Sequence, residues 1–205
     1  MEEKWLTWAK QIQAIAQAGL EYSKDKYDKE RFQALRDLSC EIMSEYTEVS
    51  YDKVKDLFCN ESGYQTPKVD VRAAVFKDDK ILLVRESIDG KWALPGGWAE
   101  YNLSVKENAA KECMEEAGAK VTPIKLISVL NRSWHVNDNY PYGVYKIFVL
   151  CELQDIEFKE NIETLECGFF ELDKLPPLST ERNTEKQVEM CFRANIERNN
   201  ETIFD

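Results

Sequence analysis

The sequence predicts an α/β protein: a sandwich built on a mixed sheet, preceded by a small all-helical segment. Three observations carry this. Apolar residues recur at three- and four-residue steps through residues 1–60. A polar, turn-rich stretch at 61–67 (ESGYQTP) interrupts that texture. The strands that follow come in runs rather than in strict alternation with helices, which argues against a doubly wound sheet.

The elements read in order as follows. Trp5, Trp8, Ile12, Ile15 and Leu20 mark one helical face, and Phe32, Leu35, Leu38, Ile42 and Tyr46 a second. A shorter segment carries Val54, Leu57 and Phe58. Helices this short bury little alone, so residues 1–62 are expected to pack on the rest of the chain or on a second subunit. Trp5 and Trp8 fit either core or dimer contacts. Residues 63–205 form the second predicted domain. There, Val69–Phe76 and Ile81–Val84 read as strands joined at Lys77–Lys80. Residues 85–104 look irregular. A helix is expected at about 105–117, opened by a Ser104/Glu107 capping box and closed by Gly118. Ile124–Leu130, Tyr142–Leu153 and Cys167–Glu171 read as strands, and Ser179–Arg198 as a last helix.

Bulk chemistry narrows the function. The 205 residues carry a net charge of −11, so diffuse attraction to nucleic acid or to an anionic membrane is not expected. An anionic substrate must be met by local cations or by bound metal. The six cysteines include no CxxC pair, which removes zinc-knuckle and thioredoxin-like readings. The acidic, amphipathic N-terminus lacks a secretory pattern, and no apolar run approaches the roughly 20 residues of a membrane span. A soluble, cytoplasmic protein with reduced thiols is expected.

The informative stretch runs from Leu94 through Gly96 and Gly97 to Gly118. On a helix at about 100° per residue, Glu112, Glu115 and Glu116 project within roughly a third of a turn. Ala109, Ala110, Cys113 and Ala117 form the adjoining apolar face. Like charges at these spacings repel. A shared divalent cation reverses that effect, because it requires several hard oxygen ligands. Magnesium, or manganese, suits such a site, since it keeps waters and takes substrate phosphate in its remaining positions. The Gly96–Gly97 turn permits close backbone approach, so a main-chain carbonyl can complete the shell.

This stretch resembles the Nudix box, G-x5-E-x7-R-E-U-x-E-E-x-G-U. Gly97 takes its first position, and Glu112, Cys113, Glu115, Glu116, Gly118 and Ala119 fall at matching spacing. Leu103 stands where a glutamate is expected and Lys111 replaces the arginine, so the usual loop-to-helix ion pair is expected to be lost, with Leu103 packing instead. Thr66–Phe76, Arg132–His135, Tyr145–Leu153 and Phe169–Pro177 extend the resemblance to the ADP-ribose pyrophosphatase-like subgroup, which includes CDP-choline pyrophosphatases.

The resemblance implies an α/β/α sandwich and a metal-dependent pyrophosphohydrolase. The substrate it implies is a nucleoside diphosphate linked to another group, foremost CDP-choline or a related CDP-alcohol. ADP-ribose or a nucleotide sugar is the alternative, then RNA-end processing or exonuclease action, then a non-catalytic nucleotide sensor. Glu112 and Glu116 become the leading metal ligands, with Glu115 a further ligand or a bridge through water and the Gly96 carbonyl a fourth, and Glu115 and Glu116 count as catalytic. Glu163 and Glu166, in the later loop Asn161–Glu166, are both candidates for a general base or an extra metal ligand. Arg72 and Arg85 are candidate phosphate ligands. His135 is a candidate substrate contact, and Trp98 and Tyr101 could stack on a base or pack in the core. A homodimer is expected.

Overall fold

The computed structural model describes residues 3–136, 140–197 and 201–205. The chain divides into two compact units, Met1–Pro67 with Asn137–Gly143, and Lys68–Val136 with Val144–Asp205.

The first unit holds α1 (Lys4–Tyr22), α2 (Lys26–Glu45) and α3 (Tyr51–Phe58). Asp25 caps α2 by accepting the Tyr27 and Asp28 amides. Leu6, Ala9, Cys40, Met43, Val54 and Phe58 form its core. Trp5 packs on this core and stacks on Tyr46 with ring centroids 5.2 Å apart. Trp8 instead lies 57% exposed, so it is not a core residue.

The second unit is an eight-stranded mixed sheet, among the described residues, with one long helix on each face. Its strands are β1 (Lys68–Lys77), β2 (Lys80–Glu86), β3 (Trp92–Ala93), β4 (Gly96–Trp98), β5 (Ala119–Asn131), β6 (Val144–Ile156), β7 (Thr164–Phe170) and β8 (Ile203–Phe204). The order is β3-β2-β1-β6-β5-β8, with β4 paired to β1 and β7 to β2. β1 and β6 run parallel, and β1 and β2 form the expected hairpin. Asp78 and Asp79 both take positive φ in its two-residue turn, the geometry that matches strand twist.

Alternation along β1 sends Val71, Ala73 and Val75 toward α4 (Val105–Ala117), where Ala109, Cys113 and Ala117 meet them. Ala74 faces the opposite side with Phe148, Leu150, Val188 and Phe192, beneath α6 (Glu185–Ile196). A four-residue helix, α5 (Arg132–His135), follows β5.

Several bounds differ from the sequence reading. The stretch 85–104 is not wholly irregular, because β2 reaches Glu86 and β3 and β4 add short pairings. The last helix starts at Glu185, not Ser179. Ser179 is held in a turn by Trp92 O at 2.8 Å and by Asp89 Oδ2 at 2.7 Å, and Thr184 and Gln187 form the capping box. Arg198, the expected end, lies outside the described residues.

Candidate active site

The helix of the box forms where the sequence places it. Ser104 and Glu107 satisfy each other's backbone amides, and Gly118 closes the helix in the left-handed region at φ 60°. The three glutamates then separate by burial. Glu112 and Glu116 are 8% and 5% exposed, whereas the Glu115 side chain is 54% exposed. Helical geometry explains this, because residues four apart share a face and Glu115 is rotated outward.

The Gly96–Gly97 pair, expected as a turn, instead opens β4 in pairing with β1, and it is tied directly to one of these acids. The Gly96 amide donates to Glu116 Oε2 at 2.8 Å. Gly96 adopts φ 144°, and a Cβ there would lie 2.0 Å from the Val71 carbonyl oxygen, so only glycine fits. The Glu112 carboxylate lies beside Gly97, 3.5 Å from where a Cβ on that residue would stand. Burial pushes the Glu116 carboxyl up to about 8, against the opposing pull of Arg72 and of the Gly96 amide. Burial also raises Glu112, with Glu115 and Glu163 adding to the effect and Lys111 and Arg72 opposing it. Among the described residues, no three His, Cys, Asp or Glu side chains form a ready metal cluster. The structure therefore offers two buried hard-oxygen donors beside a glycine turn, a set that leaves coordination positions for water and phosphate.

Arg72 does not stand free to hold phosphate. It is 1% exposed, forks onto Asp70 with two 2.9 Å hydrogen bonds, and donates to Leu94 O at 3.1 Å. Burial opposes its charge, but Asp70 more than restores it. The same pairing, with help from Lys146, holds Asp70 low despite burial. Arg72 thus fastens the segment leading into the glycine turn, because it also pairs with Gly96 in the β1–β4 ladder. Arg85 remains accessible but is paired with Glu166 across β2 and β7, Nη1 to Oε2 at 3.3 Å. Glu166 is therefore a strand residue, not a loop acid. Glu163 precedes β7, is exposed, and acts electrostatically on Glu112 and on buried Glu86. His135 pairs with the carboxylate of Asp205, so its ring is engaged with the chain's last residue. Trp98 and Tyr101 are both exposed, at 48% and 102%, and neither belongs to the core.

The brace between loop and helix survives in altered form. Lys111 Nζ lies 3.1 Å from Glu100 Oε1 and also pairs with Glu115. Glu100, three residues ahead of Leu103, thus supplies the carboxylate missing from the pattern. Asn108 reinforces it, with Oδ1 accepting the Glu100 amide at 2.8 Å and Nδ2 donating to Leu103 O at 3.1 Å. Neither Glu100 nor Asn108 stands out in the sequence, because each acts through a partner that only the folded loop brings near.

A glycine turn locked to a buried carboxylate on a capped helix, within an α/β/α sandwich, defines a Nudix-type fold. The NUDIX domain model matches residues 66–190, and a model described as UDP-X-like, N-terminal oligomerisation domain matches residues 3–58. The chain belongs to the Nudix hydrolase family. It is 47% identical over 205 residues to YjhB of Bacillus subtilis (strain 168), named provisionally as an ADP-ribose pyrophosphatase; the match spans 100% of this chain and 99% of that protein. A crystal structure described as an ADP-ribose pyrophosphatase from Streptococcus suis 89-1591 is 46% identical, covering 68% of this chain and 100% of that one, with a TM-score of 0.63. The crystal structure of a UDP-X diphosphatase is 33% identical over 98% of both chains, with a TM-score of 0.65. No helix among the described residues is long and apolar enough to cross a membrane.

Proposed function

We propose that this chain hydrolyses the pyrophosphate bond of a nucleoside diphosphate linked to another group, with magnesium held at Glu112, Glu116 and the Gly96 carbonyl, and Glu115 joining through water. Manganese is the substitute. The observation that carries this reading is the burial of Glu112 and Glu116 together beside the Gly96–Gly97 backbone, where Gly96 takes a positive φ. Two such carboxylates repel, and burial deepens the penalty unless a cation is shared between them. A cation held there would supply charge neutralisation for the diphosphate and would make a water more acidic. The chain's own residues position that chemistry. The Gly96 amide orients Glu116, Arg72 fixes the approach to the turn, and Glu163 takes the proton from the attacking water. Glu163 is preferred to Glu166 because Glu166 is committed to Arg85.

ADP-ribose is the first substrate to test, given the names of the relatives that match at 47% and 46% identity. CDP-choline and related CDP-alcohols, the substrates suggested by the resemblance in the sequence, come next, with UDP-linked compounds. A chain of net charge −11 disfavours RNA ends, and retention of all three glutamates disfavours a silent sensor. The helical residues 1–62 are proposed to join two copies into a homodimer, in keeping with the oligomerisation model they match.

A magnesium-dependent hydrolysis screen over ADP-ribose, CDP-choline, UDP-glucose, diadenosine polyphosphates and short RNA tests the reading. Release of a nucleoside monophosphate is expected, with kcat reduced on the order of a hundredfold or more in Glu116→Gln. Unchanged turnover in that variant overturns it.

A further inference from the structure

The last turn of α4 ends on two carbonyls that its own ladder does not serve in the ordinary way. A helix leaves its final C=O groups without intrahelical donors. The Gly118 amide returns to Met114 O and Cys113 O. The next two acceptors are Glu115 O and Glu116 O, whose i+4 neighbours, Ala119 and Lys120, already belong to β5. Side chains from far along the chain take them instead. Asn161 Nδ2 donates to Glu115 O at 3.0 Å, and Thr164 Oγ1 donates to Glu116 O at 2.7 Å.

The same two residues grip the segment between them. Asn161 Oδ1 accepts the amides of Glu163 and Thr164 at 3.0 and 2.9 Å, and Asn161 Nδ2 reaches Thr164 Oγ1 at 2.7 Å. Thr164 is fully buried. From the other side, the Ser87 amide donates to Glu163 O at 2.8 Å, and Ser87 Oγ donates to Ile162 O at 3.0 Å. Glu163 is thus held by its own amide and its own carbonyl, while its carboxylate stays exposed. The anchoring carbonyls belong to two of the glutamates of the box, so the loop acid and the carboxylate helix share one backbone fixture.

We propose that Asn161 and Thr164 are positioning residues that fix the Glu163 carboxylate relative to Glu112 and Glu116. This rests on the reading of Glu163 as the group that takes the proton from the attacking water. A merely structural role would lower stability and spare the dependence on Glu163. A positioning role makes the two effects inseparable.

The test is steady-state kinetics on the full chain for Thr164→Val, Thr164→Ser and Asn161→Ala, each alone and combined with Glu163→Gln. Binding of Mn2+ alone to each protein and its thermal unfolding are measured in parallel. Thr164→Val and Asn161→Ala are expected to lower kcat on the order of ten- to a hundredfold, as small misplacements of catalytic groups do, with KM and Mn2+ affinity nearly unchanged. Thr164→Ser, which keeps the hydroxyl, restores kcat. In the Glu163→Gln background, Thr164→Val and Asn161→Ala cost nothing further. Equal losses in both backgrounds overturn the positioning role while leaving Glu163 catalytic, as does wild-type kcat in Thr164→Val and Asn161→Ala. Full kcat in Glu163→Gln alone removes the reading of Glu163, and the positioning role with it. Should buried Thr164→Val fail to fold, the half-buried Asn161→Ala carries the comparison.

Discussion

Glu116 Oε2 accepts the Gly96 amide proton at 2.8 Å, so a single carboxylate both tethers the glycine turn and lines the proposed metal site. The two adjacent glycines of the turn then differ in what they tolerate. A Cβ at Gly96 would stand 2.0 Å from Val71 O, at a φ of 144° that side chains rarely adopt. Gly96→Ala should cost about 3 kcal/mol or more and separate β4 from β1. At Gly97 the added Cβ meets only the Glu112 carboxylate at 3.5 Å, an ordinary contact, so Gly97→Ala should cost less than about 1 kcal/mol. Urea unfolding of the two variants checks the contrast.

The Asp70–Arg72 pair gives a second prediction. Both side chains are nearly fully buried, so removing one partner leaves an uncompensated charge. Arg72→Met should destabilise by about 3–5 kcal/mol, and the Asp70→Asn, Arg72→Met double variant should recover much of that loss. Chemical denaturation of the singles and the double provides the cycle. Additive losses would refute the coupling.

How far the sequence reveals this site depends on whether each signal is local. The bounds of α4 were legible because Ser104, Glu107 and Gly118 are capping residues whose partners lie within a few positions. The split among the glutamates was legible only as a shared side, since the outward rotation of Glu115 depends on where the sheet sits. Arg72 looked like a phosphate ligand because its partner Asp70, two residues away, gives no sign in sequence that the pair is buried. The Glu100–Lys111 brace was missed because the carboxylate moved three positions along the loop while the folded geometry kept the contact. Asn161 and Thr164 act on carbonyls about 46 and 48 residues distant, which no spacing rule anticipates.

Lys146 predicts a pH dependence of stability. Burial lowers its ammonium from 10.5 to about 7, opposed by Asp70 and reinforced by Arg72, Arg132 and Arg182. Between these two values the unfolded chain binds a proton that the folded chain does not. Stability contributed at this site therefore rises with pH from about 7 toward 10.5, whereas below about 7 both states are protonated and the penalty is complete. The full span is on the order of 5 kcal/mol. Buried thiols such as Cys191, pushed up by burial, act in the opposite direction at alkaline pH, so wild type must be compared with Lys146→Met. The stability of Lys146→Met relative to wild type should shrink steadily from pH 7 to 9. A difference that is flat across that range would show that Lys146 does not titrate between the two states.

The Lys111 brace should behave as a surface interaction despite its place beside the site. Its side chain is 30% exposed and its ammonium bridges Glu100 and Glu115, whose side chains are 45% and 54% exposed. Water and salt screen such pairs, so a Glu100→Gln, Lys111→Met cycle should give a coupling of about 0.2–1 kcal/mol at low ionic strength. In 1 M NaCl, where screening acts within about 3 Å, the coupling should approach zero. Lys111→Met should cost more than Glu100→Gln, because it also releases Glu115 to repel Glu112, three residues earlier on the helix. Thermal unfolding of the four proteins at both salt concentrations decides the matter. A coupling that persists unchanged in high salt would mean that the loop seals this pair from solvent, and the brace would then count as part of the buried framework with Asp70 and Arg72.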